Sequence, residues 1–533
     1  MLKIRDCGGC LNRHREKIFL VVIIILGLVK LVSLNGGVVL GEPDEVIHLE
    51  VLRNFRNGDI WPVFAGKGWY YNFPLFLYLG WPLSYLLGAN LLTYRVVSVL
   101  FSLLLALGIY FYLRWKVCSN DSNHWSKVVP LVGAVFWSLC PLAVYYSRLG
   151  LIEMMVTSLM FLALFSFDYV ISEKKIKWSV ASGVLLSLAV LTKYTAFIFV
   201  APLVLVWMTR SAKKFPRISR ISHIGLIDWY SFVPLAIAGA VTLVTALVFY
   251  QHDGFLFKFQ AGASLGIFTD WWKNVNGGFW DLWWQKTAWW VGWPVLVLAG
   301  VGLAGYGVKR VKRVKGVKKY DLLTFVFLVT VALVTTRKPF NPRYFLPVVP
   351  FLCVWAALGL EWLLKLSARG GLVRTLSYLS ILGLLLPGSY TAFQAANHTL
   401  IEEAGRLVAS SDIRHLSSGF LFSNWWPTFF ENSSGLENAT WLAESVKETQ
   451  EFADTSDRSA LTILDQDGGV VLLEQLYSKD LYTPNVRLVA QDLVERNVSP
   501  TVTIKDFQPN FPFYRENYNE IKIYLVKSGQ SFP

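Results

Sequence analysis

Three carboxylates and two cations stand at the ends of long apolar runs. Asp44 and Glu45 follow the first run, in Gly41-Glu42-Pro43-Asp44-Glu45-Val46-Ile47-His48. Glu153 follows Tyr145-Tyr146-Ser147-Arg148 at the start of a later run, Lys193 lies between two adjoining runs, and Arg343 precedes another. Acids at the edge of a bilayer are costly unless they are used. A carboxylate aimed at the membrane surface could act as a general base or hold a divalent cation. Lys193 and Arg343 could hold a phosphate at lipid depth, the arginine through two parallel bonds. Each also has a plain structural reading. Asp44 could cap a helix, Arg148 and Glu153 could be snorkelling charges, and Lys193 and Arg343 could be interface anchors. Arg148 and Glu153 are five positions apart, which denies them an i,i+4 pairing and favours a Glu153 turned inward.

The elements that must position these residues are membrane spans. Of 533 residues, 54% are hydrophobic, 15% aromatic and only 16% charged, against roughly 25% charged in soluble domains. Apolar blocks of spanning length fall at 17–40, 92–113, 128–146, 151–171, 177–193, 195–209, 229–250, 290–308, 320–336, 345–364 and 372–392. The net charge of +14 is carried by Lys and Arg between the blocks, which marks topology and anionic lipid rather than nucleic acid. Residues 73–90 are apolar but broken by Pro74 and Pro82. If they do not cross, and the N-terminus is cytoplasmic, every strongly basic loop lies inside, including the run from Lys309 to Lys319. Residues 73–90 therefore read as juxtamembrane or re-entrant, leaving about eleven spans.

That topology puts residues 41–91, the turn at 145–152, segment 251–289 and everything after about 393 on the outer side. The glycosylation patterns at Asn397, Asn432, Asn438 and Asn497 fall on that side too. After Asp44, the positions Ile47, Val51, Leu52 and Phe55 share one helical face, which predicts an interfacial helix with Asp44 as its N-cap. The aromatics around Trp61 and Trp69-Tyr70-Tyr71 suit either a membrane interface or sugar stacking.

The last 140 or so residues change character. Short apolar runs at 461–465, 469–474 and 521–526 read as strands, and 399–409 and 440–453 as helices. The expected architecture is an all-α polytopic domain over residues 1–392, with juxtamembrane helices in its first outer loop, and a small mixed α/β extracytoplasmic domain over 393–533. Cys7-Gly-Gly-Cys10 beside His14 has half of a zinc spacing and no second pair, and reads as free thiols. There is no Gly-rich nucleotide loop. A reactive donor would have to arrive already activated, as a polyprenyl-phosphate sugar does.

Five segments together resemble the GT-C glycosyltransferases, in the branch of protein O-mannosyltransferases and lipid A aminoarabinose transferases. They are Pro43-Asp44-Glu45-Val-Ile-His48 with Gly58-Asp59-Ile-Trp61-Pro62; Phe73-Pro74-Leu-Phe-Leu-Tyr78; Tyr146-Ser147-Arg148-Leu-Gly-Leu-Ile-Glu153; Leu191-Thr192-Lys193; and Pro342-Arg343-Tyr344-Phe345-Leu346-Pro347. The resemblance covers roughly residues 17–390. It implies an inverting transfer from a polyprenyl-phosphate sugar to an acceptor hydroxyl of a protein, glycan or lipid on the outer face of the cell membrane. Asp44 would be the base, with Glu45 its companion. Glu153 stands where the family's second acid is usually Asp. Lys193, Arg343 and Arg148 would serve the donor phosphate. His48, Tyr70, Tyr71 and Tyr344 would line the substrate cavity. A divalent cation (Mg, Mn or Zn) could sit on Asp44 and Glu153. The competing reading is a protein that binds or flips a lipid-linked sugar without catalysis.

Overall fold

The computed structural model describes residues 11–34, 44–64, 67–68, 74–118, 128–193, 229–252, 290–312, 345–366 and 371–396, scattered positions including 287–288 and 343, and five strands after residue 420. The chain falls into two compact units. One comprises Met1–Leu34 and His48–Phe393, the other Asn35–Ile47 and Gln394–Pro533.

The first unit is helical. In chain order its helices are α1 (Leu11–Val29), α2 (Asp44–Arg56, whose first turn belongs to the second unit), α3 (Leu75–Leu87), α4 (Leu91–Cys118), α5 (Val129–Leu139), α6 (Pro141–Ser147), α7 (Ile152–Glu173), α8 (Ile176–Val190), α9 (Trp229–His252), α10 (Trp293–Lys312), α11 (Val349–Leu366) and α12 (Gly371–Ala395). A two-strand ribbon, β1 (Val63–Phe64) with β2 (Lys67–Gly68), follows α2. Among the described residues, four helices are long and apolar enough to cross a membrane: Leu91–Val117, Ile152–Glu173, Trp229–His252 and Leu346–Leu363. The pair α5 and α6, bent by 62°, would make a fifth. The chain is a multi-pass membrane protein. The bend falls at Cys140-Pro141, where proline has no N–H to continue the ladder.

Helices in lipid gain little from the hydrophobic effect, so they pack through small residues and polar bonds to backbone. A side chain on Gly302 of α10 would run into the Trp355 carbonyl of α11, and one on Gly359 into the Leu298 carbonyl. The two backbones are therefore in direct contact. Gly183 of α8 meets Pro234 and Ile237 of α9, and Gly133 of α5 meets Leu113 and Ile109 of α4. Buried donors cross between helices: Ser158 Oγ to the Phe101 carbonyl at 2.8 Å, Ser182 Oγ to that of Ala163 at 2.9 Å, and Trp137 Nε1 to that of Ser102 at 3.0 Å. At the far ends of α4 and α7, Asp168 accepts from Lys116 and from the Tyr112 hydroxyl.

In the second unit, β3 (Leu421–Ser423), β4 (Ala439–Trp441), β5 (Gly469–Glu474), β6 (Val502–Asp506) and β7 (Asn519–Val526) form one mixed sheet of order β4-β3-β5-β7-β6. β3 runs parallel to β4 and β5, and β7 antiparallel to β5 and β6.

Several sequence expectations meet the structure directly. The face Ile47, Val51, Leu52 and Phe55 is buried throughout. The runs at 469–474 and 521–526 are strands, whereas the helix expected at 440–453 begins on strand β4. The first span was drawn to residue 40, yet α1 ends at Val29 and gives way to a turn in which Ser33 takes φ 56°. Apolar composition carried the reading past a backbone reversal that hydropathy does not register. Asp44 is the first residue of α2 rather than its cap. Cys7, Cys10, the expected strand at 461–465, the helix at 399–409 and the span at 320–336 lie outside the described residues, as does most of the span at 195–209.

Because Gly359 presses on main chain, which cannot swing aside as a side chain can, Gly359→Ala should lower the thermal unfolding midpoint in detergent. The expected cost is that of overpacking, about 1–3 kcal/mol. An unchanged midpoint would contradict the contact.

Candidate active site

Glu153 enters at the first turn of α7, just after extended Leu151, where the free N–H groups and the helix dipole favour a carboxylate. Lys193 follows the end of α8, its backbone N–H returned to the Ala189 carbonyl at 3.0 Å. Its Nζ donates to Glu153 Oε1 at 2.6 Å, and Arg343 Nε lies 3.7 Å from the same oxygen. The side chains of Glu153, Lys193 and Arg343 are only 4%, 11% and 19% exposed. Three residues far apart in sequence thus share one buried oxygen. Two cations thus meet at one carboxylate oxygen, and cations of this kind suit an anion.

Asp44 and Glu45 form the first turn of α2, with Glu45 buried and Asp44 half-buried. One turn on, His48 is 4% exposed, and its Nδ1 lies 2.7 Å from the Gly150 carbonyl oxygen, so this nitrogen carries the hydrogen. The ring packs against Phe76 and Tyr94, at 5.4 and 5.8 Å, which stack on each other at 5.0 Å. His48 was expected to line a substrate cavity; it braces α2 against the turn between α6 and α7. The far end of α2 is tied to α3, with Phe55 stacked on Tyr78 at 5.1 Å and Arg56 donating to the Ser84 carbonyl at 2.9 Å. Trp61 packs against His252 at the end of α9, centroids 3.8 Å apart and the rings tilted by 32°.

Arg148, expected at the donor phosphate, spends both terminal nitrogens on carbonyl oxygens of the turn after α1: Lys30 at 2.6 Å and Ser33 at 3.2 Å. Its guanidinium also covers the Phe393 ring at 3.8 Å. Two residues missed by the sequence reading share the task. Arg95 of α4 donates to the Leu34 carbonyl at 3.0 Å, and Lys30 itself reaches Ser102 Oγ at 3.0 Å. Both sit inside runs taken as spans, and an ionisable residue there is a signal in its own right. Tyr70, Tyr71 and Tyr344 lie outside the described residues.

Among the described residues, no group of three or more His, Cys, Asp or Glu side chains could hold a metal. Glu153 Oε1 already faces two cations, which opposes a third. No step below is routed through a metal.

Residues 72–237 match the family of dolichyl-phosphate-mannose-protein mannosyltransferases. The fold is similar to that of ArnT from Cupriavidus metallidurans bound to undecaprenyl phosphate, at 13% identity and a TM-score of 0.58, over 98% of this chain and 99% of that one. It is also similar to the archaeal oligosaccharyltransferase AglB from Archaeoglobus fulgidus in complex with an inhibitory peptide and a dolichol-phosphate. There the identity is 13% and the TM-score 0.53, over 97% of this chain and 75% of that one. No curated protein matches the sequence. The family match covers residues 72–237, about a third of the chain, and the fold as a whole is similar to those of ArnT and AglB.

Removing one member of a buried ion pair costs more than replacing both. Lys193→Met should therefore destabilise the protein by about 3–5 kcal/mol, and adding Glu153→Gln should restore part of that loss. Thermal unfolding of both variants in detergent checks this; a double variant less stable than the single one would contradict the pairing.

Proposed function

We propose that the protein is an inverting glycosyltransferase that moves a sugar from a polyprenyl-phosphate donor to an acceptor hydroxyl at the outer face of the membrane. The observation that carries this reading is the buried cluster of Glu153, Lys193 and Arg343. Its two cations are of the kind that receives the negative charge of a sugar phosphodiester. As the sugar leaves, the phosphate gains a second negative charge, and preformed cations stabilise that change without reorganising. Lys193 and Arg343 are the donor-phosphate ligands in this reading, and Glu153 keeps both in place.

Asp44, in the first turn of α2, takes the acceptor proton, with Glu45 as its acidic neighbour. The match to a family named for transfer from dolichyl-phosphate-mannose supports a lipid-borne donor. So does the similarity to ArnT bound to undecaprenyl phosphate. The N-terminus is taken as cytoplasmic, with about eleven spans. Residues 393–533 are taken as an extracytoplasmic α/β domain, built on the mixed sheet and bearing on acceptor choice.

The purified protein should transfer sugar from at least one member of a panel of polyprenyl-phosphate sugars. Asp44→Asn should lower kcat about 10²–10⁴-fold, the usual worth of a general base, with donor binding retained. Donor binding without transfer across the whole panel would favour the binding or flipping protein instead. Full activity of Asp44→Asn would remove Asp44 from the base role.

A further inference from the structure

One turn beyond Glu153 on α7, Thr157 is 1% exposed and its hydroxyl has no hydrogen-bond partner among the described residues. A buried hydroxyl left this way is costly and calls for a reason. The ordinary solution lies within reach on any helix, a bond to the carbonyl four residues back. Ser158 takes it, bonding Met154 O at 2.8 Å, as do Thr192 with Leu188 and Thr242 with Ala238. Thr157 does not, so its rotamer serves something else.

Side chains four apart on a helix are neighbours, with Cβ atoms about 5–6 Å apart, and each leans toward the helix N-terminus. Thr157 therefore leans toward Glu153. Phe161, the next residue on this stripe, packs against Phe351 of α11 at 5.8 Å, which closes the space from below. The donor hydroxyl is thus held beneath a carboxylate whose cations are the ones a phosphate would recruit.

Building on the donor-phosphate reading above, we propose that Thr157 is a positioning residue for Glu153. When a lipid phosphate draws Lys193 and Arg343 toward itself, the Thr157 hydroxyl donates to the Glu153 carboxylate and keeps it charged and in place. Without ligand the hydroxyl is held in reserve, at a cost to stability.

The test compares full-length wild type, Thr157→Val, which is isosteric but lacks the hydroxyl, and Thr157→Ser, which keeps it. Thermal unfolding in detergent is measured with and without undecaprenyl phosphate. Without lipid, Thr157→Val should melt above wild type and Thr157→Ser should not. With lipid, wild type and Thr157→Ser should be stabilised, whereas Thr157→Val should bind about tenfold more weakly, the worth of one hydrogen bond to a charged group. Where transfer is measured, the loss should fall on the donor KM. Thr157→Val melting no higher than wild type and binding the lipid as well as wild type overturns the inference. Wild type unmoved by the lipid overturns the donor-phosphate reading and this inference with it. A Thr157→Val response equal to that of wild type overturns this inference alone. If Thr157→Val does not fold, Thr157→Ala replaces it, and unweakened lipid binding there overturns the inference.

Discussion

The pairing of Lys193 with Glu153 sets the start of α7 against the end of α8. Neither helix end could otherwise keep a charge so far from water. An isolated ion in an apolar interior carries a desolvation cost of several kcal/mol, and only close geometry offsets it. The 2.6 Å contact meets that demand, and Arg343 adds a third side chain to the same oxygen. The neighbouring turn is held by the same logic. Gly150 receives His48, so the chain leading into Glu153 is fixed from α2 as well as from α8.

A second set of cations is used differently. Arg148 and Arg95 serve the main-chain carbonyls of Lys30, Ser33 and Leu34. A turn at membrane depth exposes carbonyls that no helix ladder serves, and guanidinium groups carry enough donors to serve several. The turn after α1 is thus fixed on the helical bundle. Elsewhere the bundle relies on small residues, most tightly where Gly302 and Gly359 let α10 and α11 meet backbone to backbone.

Much of this was legible in the sequence, and the gaps have physical reasons. Apolar runs bounded by charges located α4, α7 and α9 within a few residues, because span length and charge cost are composition-level properties. The buried face of α2 followed from helical spacing. Glu153, Lys193 and Arg343 were picked out by type and position, but their shared oxygen is a long-range contact that no local pattern encodes. Arg148 shows the limit: sequence reveals a cation near an acid, not the carbonyls within its reach. Lys30 and Arg95 were hidden by the opposite error, since a run counted as apolar absorbs one charge without changing its average. The continuous apolar run of β5 and the Ile-Lys-Ile alternation of β7 were readable, while three-residue β3 and β4 carry too little pattern.

The brevity of α3 has an effect on the lipid itself. Thirteen residues rise only about 20 Å, against a hydrocarbon core of about 30 Å, and Leu86 at its end is 82% exposed. An apolar helix of that length that does not cross reaches only part-way into one leaflet, and the acyl chains around it must splay at modest cost. Such local thinning of one leaflet would create a dimple next to α2 and α3. An amphiphile diffusing in the membrane would find its polar head already lowered there, rather than needing to be lifted out of its leaflet to reach protein.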